Sequence, residues 1–391
     1  MTTFIADEEA LETFSDDVSS LWCRREVAVL DKPPDAFTFL RDFVHPSVPC
    51  IIRNAIQVNR STTSSDDAAL ILTLDDIIDR VGEDVAITVD VTPDGHGDCV
   101  RTVMDFSNSD DNNLQQSEVL RQMFVKPYEQ KMSIAKFRQL LRTPTYGFDT
   151  DEELDTFPIL RSTEKSHDDA AKLATNTNRR CAPPVVYYSK QSDCLRNEMK
   201  ELFHFFPATF SFAEEAFGTG PPDAVNLWIG NERVVSSMHK DFYENLFYVC
   251  SGQKEFVLNP PADHLFLYER EFTCGKFSPV GEDLDSGWSI TLDENGNGGC
   301  SEEVTTKWIE PDIMKTQRND KFPLLSKSHP IKVFVSEGEM LYIPSLYYHR
   351  VTQTCETVGV NYWFDMKFDS AHWCYFNFLQ QFSRVEISVE K

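Results

Sequence analysis

The chain has few basic residues for its size, and this shortage limits the classes of partner it can bind. Its 391 residues include 37 Lys and Arg against 63 Asp and Glu, which gives a formal net charge of −26. A protein that binds nucleic acid needs a surplus of positive charge. We therefore expect no nucleic-acid partner. The acidic surface accommodates a basic protein or peptide, or it serves solubility alone.

The sequence also lacks a membrane segment and a cysteine framework. No apolar run approaches the ~18 residues that cross a bilayer. Residues 1–17 are acidic and lack the basic segment and apolar run of a secretory signal. The ten Cys residues are scattered, with none in a Cys-x-x-Cys pair, so neither a zinc site nor a disulfide network is indicated. We expect a soluble protein of the cytoplasm that could also enter the nucleus, with no membrane partner.

The second half of the chain does contain a long series of short strand-like runs. Apolar residues make up 41% of the sequence and aromatic residues 12%, which is enough for a large core. The runs cover residues 224–230, 246–250, 255–258, 332–335, 339–344 and 357–364. The link between 246–250 and 255–258 contains Gly252, which predicts a hairpin. This region is expected to form an all-β barrel.

Two histidines and one aspartate lie at the ends of these strands. His239 and Asp241 are two residues apart, so on a strand they point to the same side. His349 follows the run 339–344 and adds a second imidazole. Two neutral imidazoles and one carboxylate, with other positions open, suit a non-haem Fe(II) site. A His-x-Asp pair alone is a weak signal in an acidic chain, and its strand context is what favours a metal site.

At these residues the sequence resembles the jumonji-C (JmjC) family of Fe(II)- and 2-oxoglutarate-dependent oxygenases. The resemblance is carried by the segments SGQKEFVLNPP (251–261), GEMLYIPSLYYH (338–349) and VNYWFD (360–365). Segments 29–34, 41–44, 49–55, 91–95 and 239–246 resemble more narrowly the JmjC lysyl-3-hydroxylases of developmentally regulated GTP-binding proteins, a group also described as bifunctional peptidases and lysyl hydroxylases. The likeness extends from about residue 27 to about residue 380.

The resemblance implies a mainly β fold with flanking helices, the double-stranded β-helix or jelly-roll of cupin-like JmjC proteins. The expected organisation is an N-terminal extension (1–26), an α/β region supporting the barrel (27–142), a flexible insertion (143–182), the barrel (183–368, with an insertion at about 281–306) and a C-terminal helix (369–391). Local patterns predict helices over 36–44, 74–81, from Ser133 onward and over 194–205, and strands over 86–91 and 184–188. Related hydroxylases dimerise through C-terminal helices, which favours a homodimer here; packing of this helix on the barrel is the alternative.

The resemblance also implies the residues of the site. Fe(II) would be held by His239, Asp241 and His349, with O2 and 2-oxoglutarate as co-substrates. Lys254, fifteen residues after His239, matches the family lysine that binds the far carboxylate of 2-oxoglutarate. The other expected cofactor contacts are Tyr187, with Tyr188 as the alternative, Ser236, Asn245 and Asn361. Arg350 departs from the family, whose members often have a second His after the metal-binding His.

The implied activity is hydroxylation of a lysyl residue at C3, with a GTP-binding protein as substrate and succinate and CO2 as co-products. An acidic residue near the mouth would bind the target ammonium, and Asp94, Glu244 and Asp365 are the candidates. Three alternatives remain open. N-methyl-lysine demethylation and cleavage of histone tails are activities attributed to the same family, and a catalytically silent barrel would be a binding module.

Overall fold

The structure, a computed structural model, describes residues 8–23, 26–57, 69–105, 119–144, 157–160, 183–281, 283–284, 287–293, 303–315 and 321–382. The fold is mainly β and is consistent with the expected double-stranded β-helix. The strands are β1 (Ala28–Leu30), β2 (Cys50–Arg53), β3 (Ala86–Thr92), β4 (His96–Gly97), β5 (Cys99–Asp105), β6 (Val119–Lys126), β7 (Tyr128–Ser133), β8 (Phe157–Leu160), β9 (Val185–Tyr187), β10 (Ala224–Gly230), β11 (Val235–Lys240), β12 (Tyr243–Ser251), β13 (Gln253–Asn259), β14 (Glu269–Pro279), β15 (Trp288–Leu292), β16 (Thr305–Ile309), β17 (Ile331–Ser336), β18 (Glu339–Ile343), β19 (Tyr348–Gln353) and β20 (Thr357–Asp365).

Two sheets form the barrel and share an apolar core. One has the strand order β1-β2-β18-β12-β20-β10 and the other β17-β13-β19-β11-β4. Phe247 of β12 and Phe256 of β13 meet in this core with their ring centroids 5.4 Å apart. The alternate residues of β12, such as Leu246 and Tyr248, pack in a second core that includes residues of the helices. Burial on both faces explains why these strands have continuous apolar runs in the sequence.

The link at Gly252 does not close the predicted hairpin. β12 pairs with β18 and β20, whereas β13 pairs with β17 and β19, so the link carries the chain from one sheet to the other. Gly252 has φ 78°, and a Cβ there would lie 2.4 Å from the carbonyl oxygen of Glu356. The prediction was wrong because a short glycine link is compatible both with a hairpin and with a step between layers.

The helices are short and surround the barrel. They are α1 (Glu8–Asp17), α2 (Ala36–Phe39), α3 (Leu74–Val81), α4 (Ile134–Leu141), α5 (Lys200–Phe203), α6 (Ser211–Phe217) and α7 (Ala371–Phe382), with π-helical turns at Val18–Trp22 and Leu40–Val44 and 3-10 turns at Pro261–Leu265 and Pro323–Lys327. Thr73 and Asp76 form a capping box at α3, and Ser133 caps α4, so both helices begin where the sequence predicted a helix. Among the described helices, none is long and apolar enough to span a membrane.

The helix predicted over 194–205 is shorter than expected. Only α5 is helical there, and turns precede it. The Leu195 N–H donates to the carbonyl oxygen of Val225, and the Val225 N–H donates to the Asp193 carboxylate. These bonds join the segment to β10 in place of the bonds that would continue a helix.

A third sheet includes parts of both predicted insertions. Its strand order is β15-β8-β5-β6-β14-β16. β8 lies within 143–182 and contributes Phe157 and Ile159 to the core, so the expectation of a flexible insertion is wrong for these four residues. β14 and β15 form an antiparallel hairpin and β16 pairs with β14, so β15 and the start of β16 place parts of the insertion expected at 281–306 in this sheet. The remainder of 143–182 beyond residues 143–144 lies outside the described residues. So do residues 107–113, whose Ser, Asn and Asp content predicts a solvated loop, and Gly296, Gly298 and Gly299 of the second insertion.

The C-terminal helix α7 packs on the barrel through one face. Phe376 and Leu379 are buried, and the helix contacts the 3-10 turn Pro261–Leu265. Tyr375 is 37% exposed and Phe378 58% exposed. The helix therefore packs on its own chain and still presents aromatic side chains to solvent.

We predict that Gly252→Ala destabilises the protein by at least ~2 kcal/mol, because the side chain would require both a left-handed backbone and a shift of the Glu356 backbone. Gly218→Ala is the matched control, since Gly218 also has a left-handed backbone (φ 65°) but a Cβ there would meet only the flexible end of the Lys367 side chain. Chemical denaturation of both variants measures the difference. Equal losses of stability would contradict the close approach at Gly252.

Candidate active site

The pairing of β11 with β19 brings three potential metal ligands together. His239 and His349 are direct cross-strand partners, and their ring centroids are 4.3 Å apart. Asp241 follows the end of β11, and its Oδ2 lies 3.5 Å from His349 Nε2. One ligand atom from each of the three residues lies within 4.8 Å of the other two. This spacing allows a single metal ion to contact all three.

Backbone carbonyl groups orient both imidazoles. His239 Nδ1 lies 2.7 Å from the Ser237 carbonyl oxygen, and His349 Nδ1 lies 3.1 Å from the Tyr347 carbonyl oxygen. Each Nδ1–H donates to its carbonyl, which leaves the Nε2 lone pair for a metal. Burial, with a further contribution from His239, lowers the pKa of His349 to about 4. His349 is therefore neutral at pH 7, the form that binds metal.

A β-bulge in β11 places Ser236 on the same side as His239. Ser236 pairs with Val351 and His239 with His349, so three residues of β11 span two residues of β19. Regular alternation would put residues three apart on opposite faces. The extra residue in the bulge turns the Ser236 side chain to the face that carries His239. The Ser236 hydroxyl therefore lines the same cavity, although it lies three residues before a metal ligand.

Lys254 lines the same cavity as the three potential metal ligands. Its side chain is fully buried, and its Nζ is 3.3 Å from the Tyr187 hydroxyl and 5.5 and 5.3 Å from the ring centroids of Tyr187 and Phe247. Ser236 hydrogen-bonds with Tyr187. Desolvation lowers the pKa of Lys254 to about 7. No described acidic residue forms an ion pair with this ammonium. The cavity therefore contains a positive group that an anionic ligand can neutralise.

The structure separates the two adjacent tyrosines. Tyr187 lines the cavity, whereas Tyr188 packs in the other core and donates its hydroxyl to Glu198 at 2.7 Å. Alternation along the strand sends the two side chains to opposite faces. Tyr187 is therefore the one of the pair that can reach a ligand beside Lys254.

Two asparagines lie in the barrel interior. Asn361 donates to Asn245 Oδ1 at 3.2 Å and accepts from Trp228 Nε1 at 2.8 Å. Both side chains line the cavity. Within the described residues the Asn245 amide nitrogen has no partner, which leaves it for a bound ligand.

One cavity of about 330 Å³ thus collects the eight residues that the sequence predicted for the metal and the co-substrate, and it also has lining residues that the sequence did not reveal. Trp308 of β16 stacks on the His239 ring, with centroids 5.7 Å apart and planes at 4°, and donates to Ser237 Oγ at 2.8 Å. Asp90 and Asp98 also line the cavity. The alternation of polar and apolar residues in β3 could have identified Asp90 as a cavity residue. No local pattern in the sequence indicates that β16, which carries Trp308, lies beside His239.

The three acids proposed for the substrate ammonium do not serve that role in the structure. Asp94 forms an ion pair with Arg101 at 2.6 Å, and this pairing outweighs burial and keeps the pKa of Asp94 below its usual range. Glu244 accepts hydrogen bonds from the Tyr342 and Ser345 hydroxyls. Glu244 and Asp365 line a different cavity. The expectation was wrong because sequence proximity to the metal ligands does not define which face a side chain occupies.

Arg350, the departure from the family pattern, points away from the metal ligands. It pairs with Asp312, with Nε 3.2 Å from Oδ1, and is absent from the lining of the main cavity. The substitution therefore leaves the ligand set intact.

The residues fit the cofactors that the resemblance implied. Two imidazoles and one carboxylate form an open ligand set of the kind that binds Fe(II). The buried, uncompensated Lys254 ammonium and the Tyr187 hydroxyl suit the far carboxylate of a keto acid.

Comparisons with known proteins agree with this geometry. A sequence profile of the cupin-like domain matches residues 36–370. JmjC domain-containing protein E of Dictyostelium discoideum is 30% identical over 406 aligned positions, covering 99% of both chains. The bifunctional peptidase and (3S)-lysyl hydroxylase JMJD7 of Homo sapiens is 30% identical over 370 positions, 92% of this chain and 90% of the relative. The lysine-specific demethylase JMJ32 of Arabidopsis thaliana is 30% identical over 378 positions, 93% and 90% of the two chains.

The JmjC family uses Fe(II) and 2-oxoglutarate, and its domain covers most of this chain. The profile match and the full-length relatives identify the chain as a member of the cupin-like JmjC family of 2-oxoglutarate-dependent oxygenases.

Proposed function

We propose that this protein is an Fe(II)- and 2-oxoglutarate-dependent protein hydroxylase that adds one oxygen atom to C3 of a lysyl residue. The observation that carries the oxygenase assignment is the buried Lys254 ammonium, without a counter-ion among the described residues, in the same cavity as His239, Asp241 and His349. The choice of lysine is supported by the likeness to the (3S)-lysyl hydroxylase JMJD7 over 92% of this chain. The substrate we propose is a developmentally regulated GTP-binding protein.

When bound, Fe(II) with 2-oxoglutarate and O2 supplies the oxidising chemistry, in which one oxygen atom enters the substrate and the other enters succinate as CO2 leaves. The chain supplies placement. His239, Asp241 and His349 would hold the metal, and Lys254 with the Tyr187 hydroxyl would bind the far carboxylate of 2-oxoglutarate. The keto acid is thereby held in a fixed direction relative to the metal.

Surrounding side chains keep this arrangement rigid and dry. Trp308 covers one face of the His239 ring. Phe247 and Phe256 form the apolar floor beside Lys254, where a charge is poorly solvated. Low solvation strengthens the attraction between the ammonium and a carboxylate.

Demethylation is the second candidate, and the observation that favours it is the equal identity to the lysine-specific demethylase JMJ32. The two activities differ in their products. Hydroxylation adds one oxygen to an intact peptide, whereas demethylation removes a methyl group and releases formaldehyde. Peptidase action would give two fragments, and a silent binding module would give no product.

We predict that the wild-type protein, supplied with Fe(II), 2-oxoglutarate and a peptide from the lysine segment of a developmentally regulated GTP-binding protein, produces succinate and a peptide heavier by one oxygen. Asp241→Asn should abolish both, because it removes the anionic ligand and keeps the side-chain size. Asp365→Asn is the control, since Asp365 lies outside the cavity. Mass spectrometry and succinate assays provide the measurement. Formaldehyde or cleaved peptide in place of the added oxygen would overturn the proposal.

We predict that the affinity for 2-oxoglutarate falls as pH rises above 7, by up to about tenfold per pH unit. The folded pKa of Lys254 is about 7, so at higher pH binding of the carboxylate must take up a proton. Lys254→Met should weaken binding ~100-fold and remove this dependence. Calorimetric titrations in buffers of different ionisation enthalpy measure both the affinity and the proton uptake.

The lowered pKa of Lys254 also predicts how the stability of the ligand-free protein changes with pH. The folded pKa of Lys254 lies below the unfolded value, so wild-type stability in the absence of ligand rises with pH between about 7 and 10.5. Lys254→Met should therefore stabilise the ligand-free protein most below pH 7. A variant that is destabilised at that pH would contradict the account of Lys254 as an uncompensated charge.

We also propose a homodimer that contacts through α7, with the acidic surface of the protein facing a basic segment of the substrate. Exposure of Tyr375 and Phe378 on α7 supports the first part, and the net charge of −26 supports the second. Phe378→Asp should convert a dimer to a monomer in light scattering, whereas Phe334→Asp, at a 46% exposed residue of β17, should leave the dimer intact. A monomeric wild type would refute this assembly.

A further inference from the structure

Two carboxylates line the metal cavity, and neither forms an ion pair with a basic side chain of the described residues. Asp90 comes from β3, and Asp98 from the turn between β4 and β5. Asp90 accepts a hydrogen bond from the Ser189 hydroxyl. The Asp98 residue is partly buried, and its carboxylate takes no hydrogen bond or ion pair from any described residue. Neither carboxylate therefore has a cationic partner among the described residues, although burial of a charge favours one.

The backbone aims both side chains at the cavity. Ile87, Val89 and Val91 face the apolar core, so strand alternation turns Asp90 to the opposite side. Asp98 has a left-handed backbone (φ 48°), and its carbonyl oxygen accepts a hydrogen bond from Ser237, two residues from His239. Parallel pairing of β4 with β11 brings this turn to the metal strand.

The two lysines within electrostatic range of these acids are paired with other carboxylates, and the remaining basic group near Asp98 is the metal ligand His239. Lys190 Nζ lies 3.4 Å from Glu129 Oε1, and Lys126 pairs with Asp293. Burial, together with the neighbouring charge of Asp98, raises the pKa of Asp90 to about 6, although Ser189 opposes the shift. Two carboxylates within electrostatic range of each other, both desolvated, create a local demand for a positive group from outside the chain.

We propose that Asp90 and Asp98 bind the ammonium group of the target lysine and so determine the specificity of the site. This inference rests on the proposed lysyl hydroxylation and deepens it. A primary ammonium has three donors, which can be shared between the two carboxylates. The cavity wall beside them includes Phe124 and Trp308, whose rings are 4.6 Å apart and offer apolar surface to the alkyl part of the side chain.

In this proposal, one part of the cavity carries positive charge and another part carries negative charge. Lys254 and Tyr187 serve the anionic co-substrate, and Asp90 and Asp98 serve the cationic substrate, with the metal ligands in the same cavity. An ammonium held by two carboxylates fixes which carbon of the lysine lies at the metal. An uncharged side chain of equal length would leave the two acids desolvated and unpaired, and would bind more weakly.

The test measures binding separately from catalysis. The protein is loaded with Mn(II) and 2-oxoglutarate, and Nα-acetyl-lysine N-methylamide is titrated against it while paramagnetic relaxation of the ligand protons is recorded. The norleucine analogue, which lacks the ammonium, is the matched ligand. The variants are Asp90→Asn, Asp98→Asn and the double substitution, with Asp365→Asn as the control for loss of one charge outside the cavity.

We expect the wild type to bind the lysine derivative at least tenfold more tightly than the norleucine analogue, and the double variant to lose this preference while its Mn(II) and 2-oxoglutarate affinities change less than twofold. A preference that survives in the double variant would overturn the assignment. A second Mn(II) ion per chain that disappears in the double variant would also overturn it, in favour of a metal site. Binding that behaves as expected, with no oxygen added to any lysine peptide, would support the ammonium site and refute lysyl hydroxylation.

Discussion

The register that sets His239 opposite His349 is the constraint on which the rest of the structure depends. A slip of one residue between β11 and β19 would turn one imidazole out of the cavity. Carbonyl oxygens of the same two strands, from Ser237 and Tyr347, fix the ring orientations. The bulge in β11 adds Ser236 to the same face. Barrel pairing therefore positions the metal ligands and part of the cofactor site with one set of backbone hydrogen bonds.

Electrostatic imbalance is the second property that connects fold and function. The ligand-free protein buries an ammonium at Lys254 and keeps carboxylates at Asp90 and Asp98, each without an ionic partner among the described residues. Such groups reduce stability, because desolvation of a charge is unfavourable unless an opposite charge compensates it. A dicarboxylate and a cationic side chain would offset these costs on binding. The site thus gains affinity from charges that the fold alone leaves unbalanced.

Much of this site could be predicted from the sequence, because the signals were local or were carried by spacing. Strand alternation predicted that His239 and Asp241 point to the same side. The resemblance to the family predicted that Tyr187 and Lys254 contact the co-substrate. The hairpin at Gly252 and the helix over 194–205 were wrong because tertiary pairing overrode local preference. Trp308 was missed because its contact with His239 requires β16 to lie beside β11, and no local pattern reports that neighbourhood.

The central claim is that the three metal ligands and Lys254 form one site for a metal and a keto acid. The most direct test of this claim is to measure the binding of 2-oxoglutarate with and without a redox-silent metal. If the two ligands share the site, each must raise the affinity of the other by the same factor. The account predicts one Mn(II) per chain and 2-oxoglutarate binding that is at least about tenfold tighter when Mn(II) is present, a coupling in the usual range for linked sites. Equal binding of 2-oxoglutarate with and without the metal would contradict it.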